Sequence, residues 1–196
     1  MAYACVGEAR KTLCGEGNDD IAIGLVVCSQ GGSMIQAWIE EEKYINSGNL
    51  PADRTTDPVI YTWNFIGELY RFMFEPLIPY SFGNVIWYQG ENNGRAVECN
   101  YYGEMLKMLI ENWRDVLRDE TLPFTIVVLP DYIKHEDMPC WEKIKSEQRE
   151  TAKTVPGVIS VETADLCEND DIHPPTKWKI SKRLWDEMYK AKLFKK

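Results

Sequence analysis

Four short, β-rich apolar runs limit what this chain can fold into: "AIGLVVCS" (Ala22 to Ser29), "NVIWYQ" (Asn84 to Gln89), "FTIVVL" (Phe124 to Leu129) and "GVISVE" (Gly157 to Glu162). Each is nearly continuous in apolar residues, as expected of a strand buried on both faces of a parallel sheet. Helical patterns fall between and after them. "NYYGEMLKMLIENWRDVLRDE" sets Tyr102, Leu106, Leu109, Trp113 and Val116 on one stripe, with Asn100 the expected cap. "MPCWEKIKSEQRETAKT" reads as a second helix, and the segment after Pro175 carries Ile180, Leu184 and Met188 on one stripe with basic residues elsewhere. Strand and helix in alternation mean an α/β fold with right-handed crossovers.

At 196 residues, 44% hydrophobic and 12% aromatic, the chain can bury one sizeable core, and a single domain over residues 1–196 is expected. The net charge of -9 argues against nucleic acid or an anionic membrane as partner, since either would repel it at long range. No apolar run approaches the roughly 20 residues that span a bilayer, and the opening "MAYACVGEARKTL" has early charges where a signal peptide would be apolar. Cys5, Cys14, Cys28, Cys99, Cys140 and Cys167 form no C-x-x-C pair, so they read as buried free thiols rather than a zinc or redox motif.

In open α/β sheets ligands bind beyond the carboxyl ends of the strands. Three such ends are polar or glycine-rich. "SQGGSMIQAW" (Ser29 to Trp38) brings Gly31 and Gly32, which let backbone amides approach a ligand; "QGENN" brings Gln89, Glu91 and Asn93; "DLCENDDIHPP" brings Asp170 and His173. An amide side chain, a glycine turn and an Asp-x-x-His step are the parts of an acyl-transfer site, with oxyanion donors on one side and a base on the other. On spacing alone, Asp-x-x-His also describes a helix entry in which the acid caps the turn. Gln89 and Glu91 alone would read as turn residues. His135, in "YIKHEDMP", reads as a solvated loop residue. Trp63, Trp87 and Trp113 read as core; Trp38, just after the glycine loop, is the candidate for lining a sugar cleft.

"IGLVVCSQGGSMIQAW", "EPLIPYSFGNVIWYQGENN", "YYGEMLKMLIENWRDVLRDETLPFTIVVL" and "SEQRETAKTVPGVISVETADLCENDDIHPPTKWKISKRL" resemble, in order, the blocks of the sialate O-acetylesterase family. That family belongs to the SGNH hydrolases and lies close to the carbohydrate esterases that deacetylate xylan. The elements that carry the likeness are "WYQGE-x-N" and "D-x-x-H-P" with Lys177 three residues after Pro174. The resemblance implies a three-layer, doubly wound parallel sheet of flavodoxin-like type and an O-acetylated carbohydrate substrate, with no cofactor or metal. It implies His173 as general base with Asp170 as its orienter, Gln89 as side-chain oxyanion donor and the Gly31–Gly32 loop as source of a backbone amide. Glu91 and Asn93 would brace the loop or touch substrate.

The family's nucleophile is a serine in a G-Q-S-N-M type motif upstream of the "IGL" strand, and no G-Q-S occurs here. Tyr3 to Leu13 resembles the helix before that strand, so the expectation is an N-terminally truncated SGNH domain without its first, central strand and with exposed edges prone to self-association. Ser29 in "V-C-S-Q-G" could replace the lost serine only with Val27 where a nucleophile elbow needs glycine. Its hydroxyl is better read as satisfying a nearby backbone group. Two functions stand: a serine carbohydrate O-acetylesterase, here lacking its family serine, or a non-catalytic carbohydrate-binding or interaction module derived from the fold.

Overall fold

A computed structural model describes residues 1–15, 17, 22–51, 62–95, 97–134 and 138–194, with only the backbone of Val97 and Glu98. Three parallel strands form the sheet in the order β1 (Val85–Trp87), β2 (Phe124–Val127), β3 (Val158–Val161). Val85 pairs with Phe124, and Phe124 with Val158. All four residues of β2 are buried, as the continuous apolar run requires of a central strand.

The two-residue period of the strands sends alternate side chains into two separate cores. Trp87, Phe124, Ile126 and Val158 join the core formed with helices α3 (Tyr102–Val116) and α4 (Trp141–Thr154). Ile86, Val127 and Val161 face the opposite way, onto α1 (Ala2–Gly15) and α5 (Ile180–Lys190), where Cys5, Ala9, Leu13, Ile180, Leu184 and Trp185 are buried. The result is a three-layer α/β sandwich. A further short helix, α2 (Glu41–Asn46), puts Tyr44 into the first core.

The helical stripes fall where the periodicity places them. Tyr102, Leu106, Leu109 and Trp113 are buried on α3, and Ile180, Leu184 and Met188 on α5. Asn100 is not the cap of α3: a 3-10 turn at Val97–Tyr101 leads into the helix, Tyr101 takes the cap position, and the Asn100 side chain accepts a bond from Lys143 instead. Trp113 stacks on Phe74 at 3.8 Å and donates its indole N–H to the Trp38 carbonyl. Arg114, also buried, donates to the carbonyls of Leu122 and Pro156, tying the end of α3 to the entrances of β2 and β3.

The first apolar run is not a strand. Residues 22–30 form no helix and no strand, and Leu25, Val26 and Val27 are exposed, Val27 at 57%. A strand exists only through a neighbour's hydrogen bonds, and among the described residues β1 is bonded to β2 alone and none pairs with the run. Among the described residues the architecture is that of an SGNH-like fold lacking its central strand. The cysteine reading is corrected in part: Cys99 and Cys140 form a disulfide, while Cys5, Cys14, Cys28 and Cys167 are free. No helix among the described residues is long and apolar enough to cross a membrane.

Candidate active site

The glycine loop, the turn after β1 and the loop after β3 meet at the carboxyl end of the sheet. Gln89, two residues beyond β1, is buried and carries the junction. Its Nε2 donates to the Ser33 carbonyl at 2.9 Å and to Asn93 Oδ1 at 2.8 Å. Its carbonyl accepts from the Tyr102 hydroxyl at 2.8 Å and from Gln148 Nε2 at 2.9 Å, so α3 and α4 both grip this residue from behind. Both amide hydrogens of Gln89 are thus engaged within the protein.

A set of amides fixes the glycine loop. Asn93, wholly buried, accepts the Ile35 N–H at 3.0 Å and donates to Gln36 Oε1. Asn64 accepts the Met34 N–H and donates to the Gly32 carbonyl, both at 2.8 Å, and Asn92 donates to the same carbonyl at 2.9 Å. Gly32 has φ +68°, a conformation that favours glycine. Gly31 and Gly32 are exposed, and among the described residues their own N–H groups make no hydrogen bond. The loop therefore spends its carbonyls on the scaffold and keeps its amide donors open.

Glu91 caps the 3-10 turn Asn92–Gly94. Burial raises its carboxyl pKa above the usual carboxylate range, opposed by its own and Gly90's N–H groups and by the charges of His173 and Lys177. That coupling brings the third loop to the site. Burial, and then the Glu91 and Cys167 charges, push the Tyr88 phenol well above its ordinary range.

His173 is exposed at this rim, and its backbone N–H donates to Asp171 Oδ1 at 2.7 Å. Asp170 is also exposed, and among the described residues no hydrogen bond joins it to the imidazole. The acid that caps the turn is Asp171, and the carboxyl coupled electrostatically to His173 is Glu91. The loop is closed at its base by Thr176, which donates its hydroxyl to the Leu166 carbonyl and to Glu168.

Trp38 does not line the cleft. It is 3% exposed, in a 3-10 turn (Ile35–Trp38) whose four residues are all buried, edge-on to Trp87 at 6.2 Å. Ser29 is exposed and its hydroxyl makes no hydrogen bond among the described residues, so the expected backbone partner is not there. His135 lies outside the described residues. Asn64, Gln36 and Gln148 escaped the reading of the sequence because none stands in a motif; Asn92 stood inside "QGENN" without a role.

A family model described as carbohydrate esterase, sialic acid-specific acetylesterase matches residues 9–190. The chain belongs to that family. It is similar to the sialate O-acetylesterase of Homo sapiens, 28% identical over 184 residues, covering 83% of this chain and 34% of that protein. The Mus musculus enzyme is 26% identical over 210 residues, covering 83% and 38%. The chain thus spans about a third of the length of the curated relatives it matches. Among solved structures, a carbohydrate acetylesterase from Xanthomonas citri superposes with a TM-score of 0.76 at 28% identity, covering 94% of this chain and 39% of that one. An Arabidopsis thaliana protein shares the fold, with a TM-score of 0.60 at 19% identity, covering 97% and 67%.

Proposed function

We propose that this acetylesterase-family chain supplies the base and the oxyanion loop of a serine O-acetylesterase acting on an acetylated sugar, with the nucleophilic serine carried on a strand outside these residues. The observation that carries the reading is the meeting, at one rim, of a glycine loop with open amide donors and an exposed histidine coupled electrostatically to the half-buried Glu91 carboxyl. In this scheme the serine hydroxyl attacks the acetyl carbonyl while His173 takes its proton. The Gly31 and Gly32 amides hold the developing oxyanion, and as the C–O bond to the sugar breaks, His173 returns the proton to the departing sugar oxygen. Water, activated by the same imidazole, then releases acetate. Asp170 or Glu91 orients the imidazole; Gln89 and Asn93 keep the loop in place.

The engaged amide of Gln89 favours the second reading, a module that binds acetylated sugar without turnover, because a bound oxyanion would have to displace the Ser33 carbonyl or Asn93 from it. The test is acetate release from O-acetylated sialic acid and from acetylated xylan. It compares this chain, a longer polypeptide from the same gene that includes the serine, and that polypeptide with His173→Ala. Turnover by the longer polypeptide that collapses on His173→Ala supports the esterase. A folded His173→Ala variant at full rate rejects it, and sugar binding without any turnover selects the module.

A further inference from the structure

Lys177 lies four residues beyond His173, within the 3-10 turn Pro175–Lys179 that leads into α5. Its ammonium stands 5.5 Å from the centroid of the Tyr88 ring, and its charge acts to lower the pKa of the Glu91 carboxyl. Tyr88 is the first residue past β1, and its ring packs against both cores, so neighbours on either side of the sheet fix it. Its buried hydroxyl has no hydrogen-bond partner among the described residues. Packing rather than hydrogen bonding therefore sets the ring and the face it offers.

The contacts made by Thr176 and Asp171 close the His173 loop upon itself and do not reach β1. Lys177 makes a contact that does. We propose that Lys177 is the positioning residue that docks the His173-bearing turn on the β1 rim, its ammonium held over the face of Tyr88. The ring quadrupole attracts the ammonium at its face, and the Glu91 carboxyl adds a coulombic pull on the same charge. The flexible four-carbon stem carries that restraint back to the turn.

The inference rests on the reading of His173 as the base, and its test uses no substrate, so a chain without esterase activity leaves the result intact. Amide hydrogen exchange is followed by mass spectrometry in peptides spanning residues 171–180, with peptides from α3 reporting the global fold. Lys177→Met should speed exchange in the turn about tenfold while leaving α3 unchanged. Lys177→Arg should restore wild-type rates, since a guanidinium also stacks on a ring face, and Tyr88→Phe should match wild type because the face remains. Tyr88→Leu should behave as Lys177→Met; if it also loses the protection of α3, the two Lys177 variants decide. Wild-type exchange in Lys177→Met, or exchange in Lys177→Arg as fast as in Lys177→Met, overturns the proposal.

Discussion

Gln89 and Asn93 are joined at the centre of the site, Gln89 Nε2 donating to Asn93 Oδ1 at 2.8 Å. The same oxygen accepts the Ile35 N–H, so one wholly buried side chain links the turn after β1 to the segment after the glycine loop. Asn93→Ala strands the Ile35 N–H, a Gln89 amide hydrogen and the Gln36 side-chain oxygen Oε1 away from water. The expected loss is about 3 kcal/mol of folding stability, the range for unsatisfied buried groups in one network. Urea denaturation measures it; a loss no larger than that of an exposed control such as Asn169→Ala contradicts the bracing role.

Gly90 turns the chain between Gln89 and Glu91 with φ +145°, and a Cβ there would come within 2.7 Å of Ile144 Cγ2 on α4. Strain and clash act together. Gly90→Ala is expected to cost about 3 kcal/mol, more than a glycine-to-alanine change at an open position. Gly31→Ala is the comparison, since nothing lies within 4 Å of a Cβ there. Equal thermal midpoints for the two variants refute the close approach.

The helical stripes of α3 and α5 and three of the four strands were legible because each follows from local periodicity. What failed depends on partners distant in sequence. The run Ala22 to Ser29 has the composition of a buried strand, yet its pairing needs a neighbour, and without one Val26 and Val27 are exposed. Trp38 follows an open loop but turns inward because Trp87 and Trp113 receive it. Asp170 and Asp171 are indistinguishable by residue type, and the path of the loop alone selects Asp171 to meet the His173 N–H. Asn64 reaches Gly32 across 32 positions, a contact that no spacing rule encodes.

The Cys99–Cys140 disulfide spans 41 residues and joins the segment before α3 to the start of α4, the two helices that grip Gln89. Closing a loop of that length lowers the entropy of the unfolded chain by an amount worth about 4 kcal/mol in the chain-entropy account. Reduction should therefore lower the urea midpoint substantially, with the thiol state verified by mass. Matching midpoints for oxidised and reduced protein would show that the bond does not constrain the unfolded chain.

The half-buried Glu91 carboxyl makes a pH prediction whose sign follows from linkage. Its folded pKa is raised, so the folded state binds that proton more tightly than the unfolded state, and its contribution to stability falls as pH rises through the raised folded value. Glu91→Gln should thus stabilise the fold at neutral pH, with the gain shrinking as pH falls toward the ordinary carboxylate range. Denaturation of both proteins over that interval measures the difference. A Glu91→Gln protein less stable than wild type at neutral pH would mean that His173, Lys177 and the two N–H groups outweigh the cost of burial.

The edge of β1, unpaired among the described residues, and the exposed run Leu25 to Val27 lead to the last prediction. An unpaired strand edge offers hydrogen-bonding groups to any extended chain, and Leu25, Val26 and Val27 add apolar surface with no charge among them. The isolated chain should self-associate with rising concentration despite its net charge of -9, because edge pairing acts at contact where long-range repulsion is screened by salt. Val26→Lys with Val27→Glu places opposite charges on the run, leaves net charge unchanged and should return the chain to a monomer in light-scattering chromatography. Added salt should strengthen association in the parent and do little in the variant. A parent chain that stays monomeric across the concentration series, or a variant that associates equally, would exclude this run as the contact.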